Sequence, residues 1–289
     1  MESNRNSGFA CIGIVGLGLI GGSFAKTIRQ KTNCRILGCD LDAALVQRAC
    51  QEKVLDEALT AETCAACDML LVALYPQATI AWMQQHAPRI PAHCVVIDCC
   101  GVKRAVSPAL CDLAAQYGFR YVGGHPMAGR EQSGYNAATA SLFDGASMIL
   151  TDVPEDLDAQ LEAFFVSLGF GGICRSTPLE HDRIIAYTSQ LAHVLSSAYV
   201  KSPAALEHDG FSAGSFADMT RVAYLNETMW TQLFLDNADY LSEEVRGLCS
   251  RLCEYADALE RRDEKTLFTL LQQGRLRKTY LTQRSARKE

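Results

Sequence analysis

The sequence predicts an α/β fold, a doubly wound parallel sheet followed by an all-helical C-terminal domain. Two observations carry this. Six short apolar runs alternate with helical periodicity up to about residue 176, the pattern of parallel strands covered by helices on both faces. From Pro178 onward the helical spacing continues and no strand-like run follows. The expected domains are therefore 1–176 and 177–289.

The elements follow in order. CIGIVG (11–16) is the first strand, and the turn GLGLIGGSFAKTIRQ leads from it into a helix. CRILGCD (34–40) is the second strand, followed by a helix from Ala43 to Lys53. DMLLVAL (68–74) is fully apolar, and Pro76 then opens a helix to about His86, since proline suits a first helical position. HCVVIDCC (93–100), FRYVGG (119–124) and ASMILT (146–151) complete the strands, with a helix between Lys103 and Tyr117. In the C-terminal part helices are expected over 178–201, 215–223, 228–260 with a break, and 263–283. A region built only of helices often completes its core on a second copy, so a homodimer is expected.

Composition narrows the functional classes. The chain is 48% hydrophobic and 21% charged, with a formal net charge of −6, which gives no reason to expect a nucleic-acid partner. The basic cluster Arg275, Arg277, Lys278, Arg284, Arg287 and Lys288 reads as a solvated helix end. No run approaches the roughly 18 apolar residues of a membrane span, and the N-terminus lacks a signal-peptide layout, so a cytoplasmic location is expected. The 13 cysteines lie largely in apolar segments, where the thiol acts as a small hydrophobe. Cys64 and Cys67 form one CxxC without a second pair or a nearby histidine, so no metal site is expected.

Gly16-Leu17-Gly18-Leu19-Ile20-Gly21 follows a strand and opens a helix, and Asp40 sits 19 residues past the third glycine. That is the context of the Rossmann-type dinucleotide fingerprint. Gly16 permits the tight turn, Gly18 lets backbone approach a pyrophosphate, and Gly21 lets helix pack on strand. Free N–H groups at the helix start would face the phosphates. Asp40 would bind the adenosine ribose and repel a 2′-phosphate, which selects NAD over NADP. A second constellation, GGHPMAGREQSG (123–134), follows the fifth strand. It puts His125 at the carboxyl end of a strand, the ligand edge of an open α/β sheet, in a frame rigid enough for acid–base work.

GLGLIGGS, DCCGVK (98–103), GGHPMAGREQSG, SQLAH (189–193) and FADMTR (216–221) fall in one order over about residues 11–235. In this the chain resembles the prephenate dehydrogenase family. The resemblance implies a nucleotide-binding domain, a helical dimerisation domain, and oxidative decarboxylation of prephenate to 4-hydroxyphenylpyruvate in tyrosine biosynthesis. The alternative is arogenate, giving tyrosine directly. By position, His125 matches the histidine bonded to the substrate ring hydroxyl, and His193 a second histidine facing the substrate. Arg221 matches an arginine on a substrate carboxylate, with Trp230 in the pocket wall and Glu131 and Ser133 beside the substrate. One position departs: the family often has a serine that contacts the catalytic histidine, and here Gly101, counted with the cofactor-binding residues, stands in its place. His181 and Asp182 read as polar residues of a helix's first turn and receive no role.

Two rivals stay open on sequence. Another Rossmann dehydrogenase of the hydroxyacid type would use a lysine on the first long helix, where only Lys201 lies near its end. A non-catalytic NAD-binding regulator is compatible with Gly101 but sits poorly with His125, His193 and Arg221 together.

Overall fold

The computed structural model describes residues 8–130 and 132–286. The first half runs β1 (Cys11–Val15), α1 (Leu19–Lys31), β2 (Arg35–Cys39), α2 (Ala43–Gln51), β3 (Glu57–Ala58), β4 (Met69–Val72), α3 (Pro76–His86), β5 (Val95–Asp98), α4 (Ser107–Tyr117) and β6 (Arg120–Pro126). It continues with β7 (Ser147–Thr151), α5 (Glu155–Ser167) and β8 (Gly172–Ser176). Helices follow as α6 (Pro178–Ile185), a π-helical turn (Ala186–Gln190), α7 (Leu191–Tyr199), α8 (Gly214–Thr220) and α9 (Glu227–Leu235).

One sheet of eight strands has the order β3-β2-β1-β4-β5-β6-β7-β8. The chain reverses direction across the sheet between β1 and β4, the switch point where such sheets bind ligands. Along β1 and β4, Ile12, Ile14, Met69 and Leu71 enter one core layer, while Val15, Leu70 and Val72 enter the other. Both faces are buried, which is why these strands read as continuous apolar runs rather than alternating ones. Phe24, Phe143 and Phe170 stack in the first layer, with Phe24 and Phe143 centroids 4.3 Å apart. Cys11, Cys64, Cys67 and Cys94 are buried in the second, and burial pushes all four thiols up. As unionised thiols they pack as small apolar groups.

The sheet departs from an all-parallel one at a single pair: β7 runs antiparallel to β6. This has a consequence for the site, because β7 holds β6 in register past the end of β5, pairing His125 with Ile149. Three elements have no counterpart in the sequence expectations. β3 is two residues long, β8 is a half-exposed edge strand carrying Arg175, and α5 opens with Glu155, Asp156 and Asp158. β3 and β8 lack an apolar run, whereas α5 carries a stripe at helical spacing, Leu157, Leu161, Phe164 and Phe165, behind its acidic first turn. The helix expected from Lys103 begins only at Ser107, because residues 101–106 form a turn that delivers Lys103 inward.

The chain divides into two compact units, one up to Ala238 and one from Asp239 on. Within the first, Asp182 on α6 accepts the backbone N–H groups of Lys103 and Arg104, tying the first C-terminal helix to the sheet edge. The expected helix over 228–260 breaks at Asp236–Asn237, between α9 and α10 (Ala238–Glu260). Asn237 donates there to the carbonyl of Asp182 and to Gln190. In the second unit α10 turns into α11 (Glu264–Ala286), where Asp263 accepts from the backbone of Thr266 as an N-terminal cap. Leu252, Leu259, Phe268, Leu271 and Leu276 are exposed on these helices. Among the described residues no helix is long and apolar enough to cross a membrane.

Candidate functional site

Parallel register aligns the strand ends. Cys39, Val15, Val72, Asp98 and Gly123 are successive partners across the sheet, so Asp40, Gly16, Cys99 and Gly124 lie one step beyond, on the ligand edge. Gly16 has φ +85°, and a Cβ there would lie 2.7 Å from the carbonyl oxygen of Ala73. At Gly21 a Cβ would sit 1.8 Å from the oxygen of Gly16, so only glycine lets α1 approach β1 this closely. Gly18 is different: a Cβ there meets nothing within 4 Å. Gly18 also caps α1 without any side-chain hydrogen bond, leaving the first-turn N–H groups facing that open space. An anion such as a pyrophosphate fits there by charge and by room.

Asp40 accepts from Leu17 N at 2.7 Å and from Asp42 N at 3.0 Å, which holds its carboxylate beside the glycine turn. Gly16 and Asp40 line a cavity of about 470 Å³ with Leu41, Trp82, His86 and Arg89. Leu17 is itself buried. Leu19 and Ile20 instead line a second cavity of about 450 Å³, together with Gly101, His125, His193, Arg221 and Trp230. The glycine turn thus lies between two cavities. Ser133 is exposed and lines neither, and Glu131 lies outside the described residues. Arg130, which sequence reasoning did not single out, lines the second cavity. Its position in the loop after His125 was the one available signal.

His125 sits at the cavity wall near the end of β6. Gly124 makes this possible, because a Cβ there would come within 2.5 Å of the Asp98 carbonyl oxygen. Beneath it Lys103 is fully buried, its ammonium 2.5 Å from both Asp98 Oδ1 and the Gly124 oxygen. Tyr121 donates to Asp98 Oδ2 at 2.8 Å. On the other side, His125 Nδ1 is 2.8 Å from His181 Nε2, and His181 Nδ1 is 2.7 Å from Asp182 Oδ1. The polar pair assigned no role on sequence is therefore buried and hydrogen-bonded to the histidine of greatest interest, which corrects that expectation. The contact joins residues 56 positions apart, so no local pattern could have announced it.

The electrostatics favour neutral imidazoles. Burial lowers the pKa of His125 well below 6.5, helped by His181 and Lys103. Burial also lowers His181, against the pull of Asp182. Burial alone would raise Asp182, but hydrogen bonds from His181 and the Arg104 and Lys103 amides bring it below the usual carboxylate value.

His193 reaches the same cavity by another device. The π-helical turn inserts into the run between α6 and α7, and Ile185, Ser189 and His193 all line the cavity. His193 Nδ1 is 3.1 Å from the Val222 oxygen and so donates, which leaves Nε2 as an acceptor. The Trp230 ring lies 4.0 Å from its own, and burial lowers its pKa. Lys201, the residue a hydroxyacid-type enzyme would need, is exposed beyond the end of α7 and lines neither cavity.

Two family models match the chain: the prephenate dehydrogenase nucleotide-binding domain over residues 24–166, and the prephenate dehydrogenase dimerization domain over 177–273. Among curated relatives, a prephenate dehydrogenase of Lactococcus lactis is 27% identical over 276 residues, covering 91% of this chain and 75% of its own. A cyclohexadienyl dehydrogenase of Zymomonas mobilis is 29% identical over 247 residues, covering 81% and 83%. Among solved structures, prephenate dehydrogenase of A. aeolicus in complex with hydroxyphenyl propionate and NAD+ matches with a TM-score of 0.81 at 25% identity, over 94% of this chain and 98% of that one. Arogenate dehydrogenase of Synechocystis matches with a TM-score of 0.78 at 26% identity, over 93% and 99%. With both family models matched in order along one chain, and the fold shared nearly end to end, the protein belongs to the prephenate dehydrogenase family of oxidoreductases.

Proposed function

We propose that the protein is an NAD-dependent prephenate dehydrogenase, converting prephenate to 4-hydroxyphenylpyruvate with loss of carbon dioxide. The observation that carries this is one cavity lined by two histidines and two arginines, His125, His193, Arg130 and Arg221, next to Leu19 and Ile20 of the glycine turn. Prephenate carries a ring carboxylate, a side-chain keto acid and a ring carbinol. Two arginines suit two carboxylates, since a guanidinium can hold each in a bidentate pair. Arogenate replaces the keto group with an ammonium, which two nearby cations disfavour.

Bound along the sheet edge, NAD would supply the acceptor for the hydride lost from the carbinol carbon. The chain's own groups do the rest. His125 Nε2 takes the hydroxyl proton as the C–H bond breaks and a ring ketone forms. The carbon–carbon bond to the ring carboxylate then cleaves, its electrons enter the ring, and carbon dioxide leaves as the ring becomes aromatic. Arg221 and Arg130 hold the carboxylates, and Trp230, Met229 and Leu233 wall the cavity against water.

The test is a kinetic panel of prephenate and arogenate with NAD and NADP. The expected result is a kcat/KM at least about 10-fold higher for prephenate with NAD than for any other pairing. Asp40→Ser should narrow the cofactor gap, and Arg221→Ala should raise prephenate KM by at least about 10-fold with little change for NAD. Faster turnover of arogenate, or equal use of both cofactors, would overturn the respective half of the reading.

We further propose a cytoplasmic homodimer in which residues 177–289 act as the substrate and dimerisation domain. The matched dimerization-domain model and the exposed leucines and Phe268 of α10 and α11 support it. Sedimentation at micromolar concentration should return twice the 31.6 kDa of one chain, and an active species of that single mass would refute the dimer.

A further inference from the structure

We propose that His181, backed by Asp182, is a positioning residue that fixes His125 in the tautomer with an unprotonated Nε2 facing the cavity. The inference rests on the reading of His125 as the base.

It begins at Asp182. Its carboxylate accepts from Lys103 N at 2.8 Å, Arg104 N at 2.9 Å and the Arg104 side chain at 3.3 Å, so it is an ionised acceptor with nothing to donate. The hydrogen in its 2.7 Å contact with His181 therefore belongs to His181 Nδ1. Buried and facing the ammonium of Lys103, His181 is neutral, so its Nε2 carries only a lone pair. The 2.8 Å contact between the two rings then needs its hydrogen from His125 Nδ1. A neutral imidazole has one N–H, which leaves His125 Nε2 bare. This is the logic by which a carboxylate orients the histidine of a hydrolytic triad, with one more imidazole in the chain.

A side chain at residue 101 would not take over this task. A Cβ at Gly101 would lie 3.8 Å from His125 Nε2 and 3.9 Å from Cε1. A serine hydroxyl there would touch the cavity side of the ring, not Nδ1. The charged and titratable groups around the pair are Asp182 on α6, Lys103 and Arg104 in the turn before α4, and Asp98 on β5. Protonation of His181 would make its Nε2 a donor and force the hydrogen of His125 onto Nε2, the unproductive form.

The test combines ¹⁵N-imidazole NMR of the full-length protein with kinetics of His181→Gln, His181→Leu and His125→Asn. The wild-type protein should show His125 as the Nδ1–H tautomer. His181→Gln, whose amide oxygen can accept from Nδ1, should keep that signature and most of the kcat. His181→Leu should show Nε2–H and lose roughly 10- to 100-fold in kcat, with KM for substrate and NAD changing less than about 2-fold. Where leucine disrupts folding, the wild-type spectrum and the glutamine variant carry the test. An Nε2–H signal in the wild type, or full kcat in a folded His181→Leu beside an impaired His125→Asn, overturns the proposal. An active His125→Asn instead overturns the choice of base, whatever the resonances show.

Discussion

His125→Asn should lower kcat by roughly 10²–10⁴ while prephenate KM changes little, the pattern of a lost general base rather than lost binding. Asparagine keeps a hydrogen-bonding group at the end of β6 but cannot take the carbinol proton. The pH profile sharpens the prediction. An ordinary histidine titrates near 6.5, and burial, His181 and Lys103 all disfavour the imidazolium of His125. The neutral, reactive form therefore persists to more acid pH, and the acidic limb of kcat/KM should lie below 6.5. It should be absent from the residual activity of the variant. If the variant keeps most of the kcat and the same limb, the base is another group, and His193, with its free Nε2 in the same cavity, becomes the candidate.

Lys103→Met should cost about 3–5 kcal/mol of stability, the usual penalty for removing one partner of a buried ion pair. Lys103 and Asp98 are both fully buried, and the lost ammonium bridges Asp98 to the Gly124 carbonyl at the base of the His125 strand end. What remains for Asp98 is the Tyr121 hydroxyl and the Cys100 amide, each at 2.8 Å, two neutral donors around one buried carboxylate. In a unit of this size the loss corresponds to a fall in Tm on the order of 10 °C. Adding Asp98→Asn should recover part of it, because the stranded charge is the main cost. The same variant carries a kinetic signature. Removing a positive neighbour raises the pKa of His125, so the acidic limb should move to higher pH. A Lys103→Met protein within about 1 kcal/mol of wild type in denaturant unfolding would show that the pair is not what holds this strand end.

Much of this molecule was legible in residue order alone, and for a physical reason. Strands buried on both faces are continuous apolar runs, a glycine turn and its acid keep a set spacing, and a proline or a cap marks a helix start. Each is a pattern within a few tens of residues. So the doubly wound sheet, the Asp40 pairing with the glycine turn, His125 on the ligand edge and the long C-terminal helices could be read from residues 11–283 one after another. Of the elements outside that reading, β3 and β8 are short and draw their stability from neighbouring strands, whereas α5 carries a legible stripe in Leu157, Leu161, Phe164 and Phe165.

What only the tertiary structure decided is which polar groups meet. His181 and Asp182 look like first-turn polarity until α6 packs against the turn at 101–106, and then they become the inner partners of His125. Lys103 reads as the start of a helix, and the turn before α4 instead carries it inward to Asp98. The antiparallel β7 extends β6 far enough to hold His125, although ASMILT reads the same for either direction. Apolar burial is a property each residue carries into the fold, so it leaves a periodic trace in the sequence. A buried hydrogen bond is a property of two residues, here up to 79 positions apart, and it exists only once the chain has brought them within 3 Å.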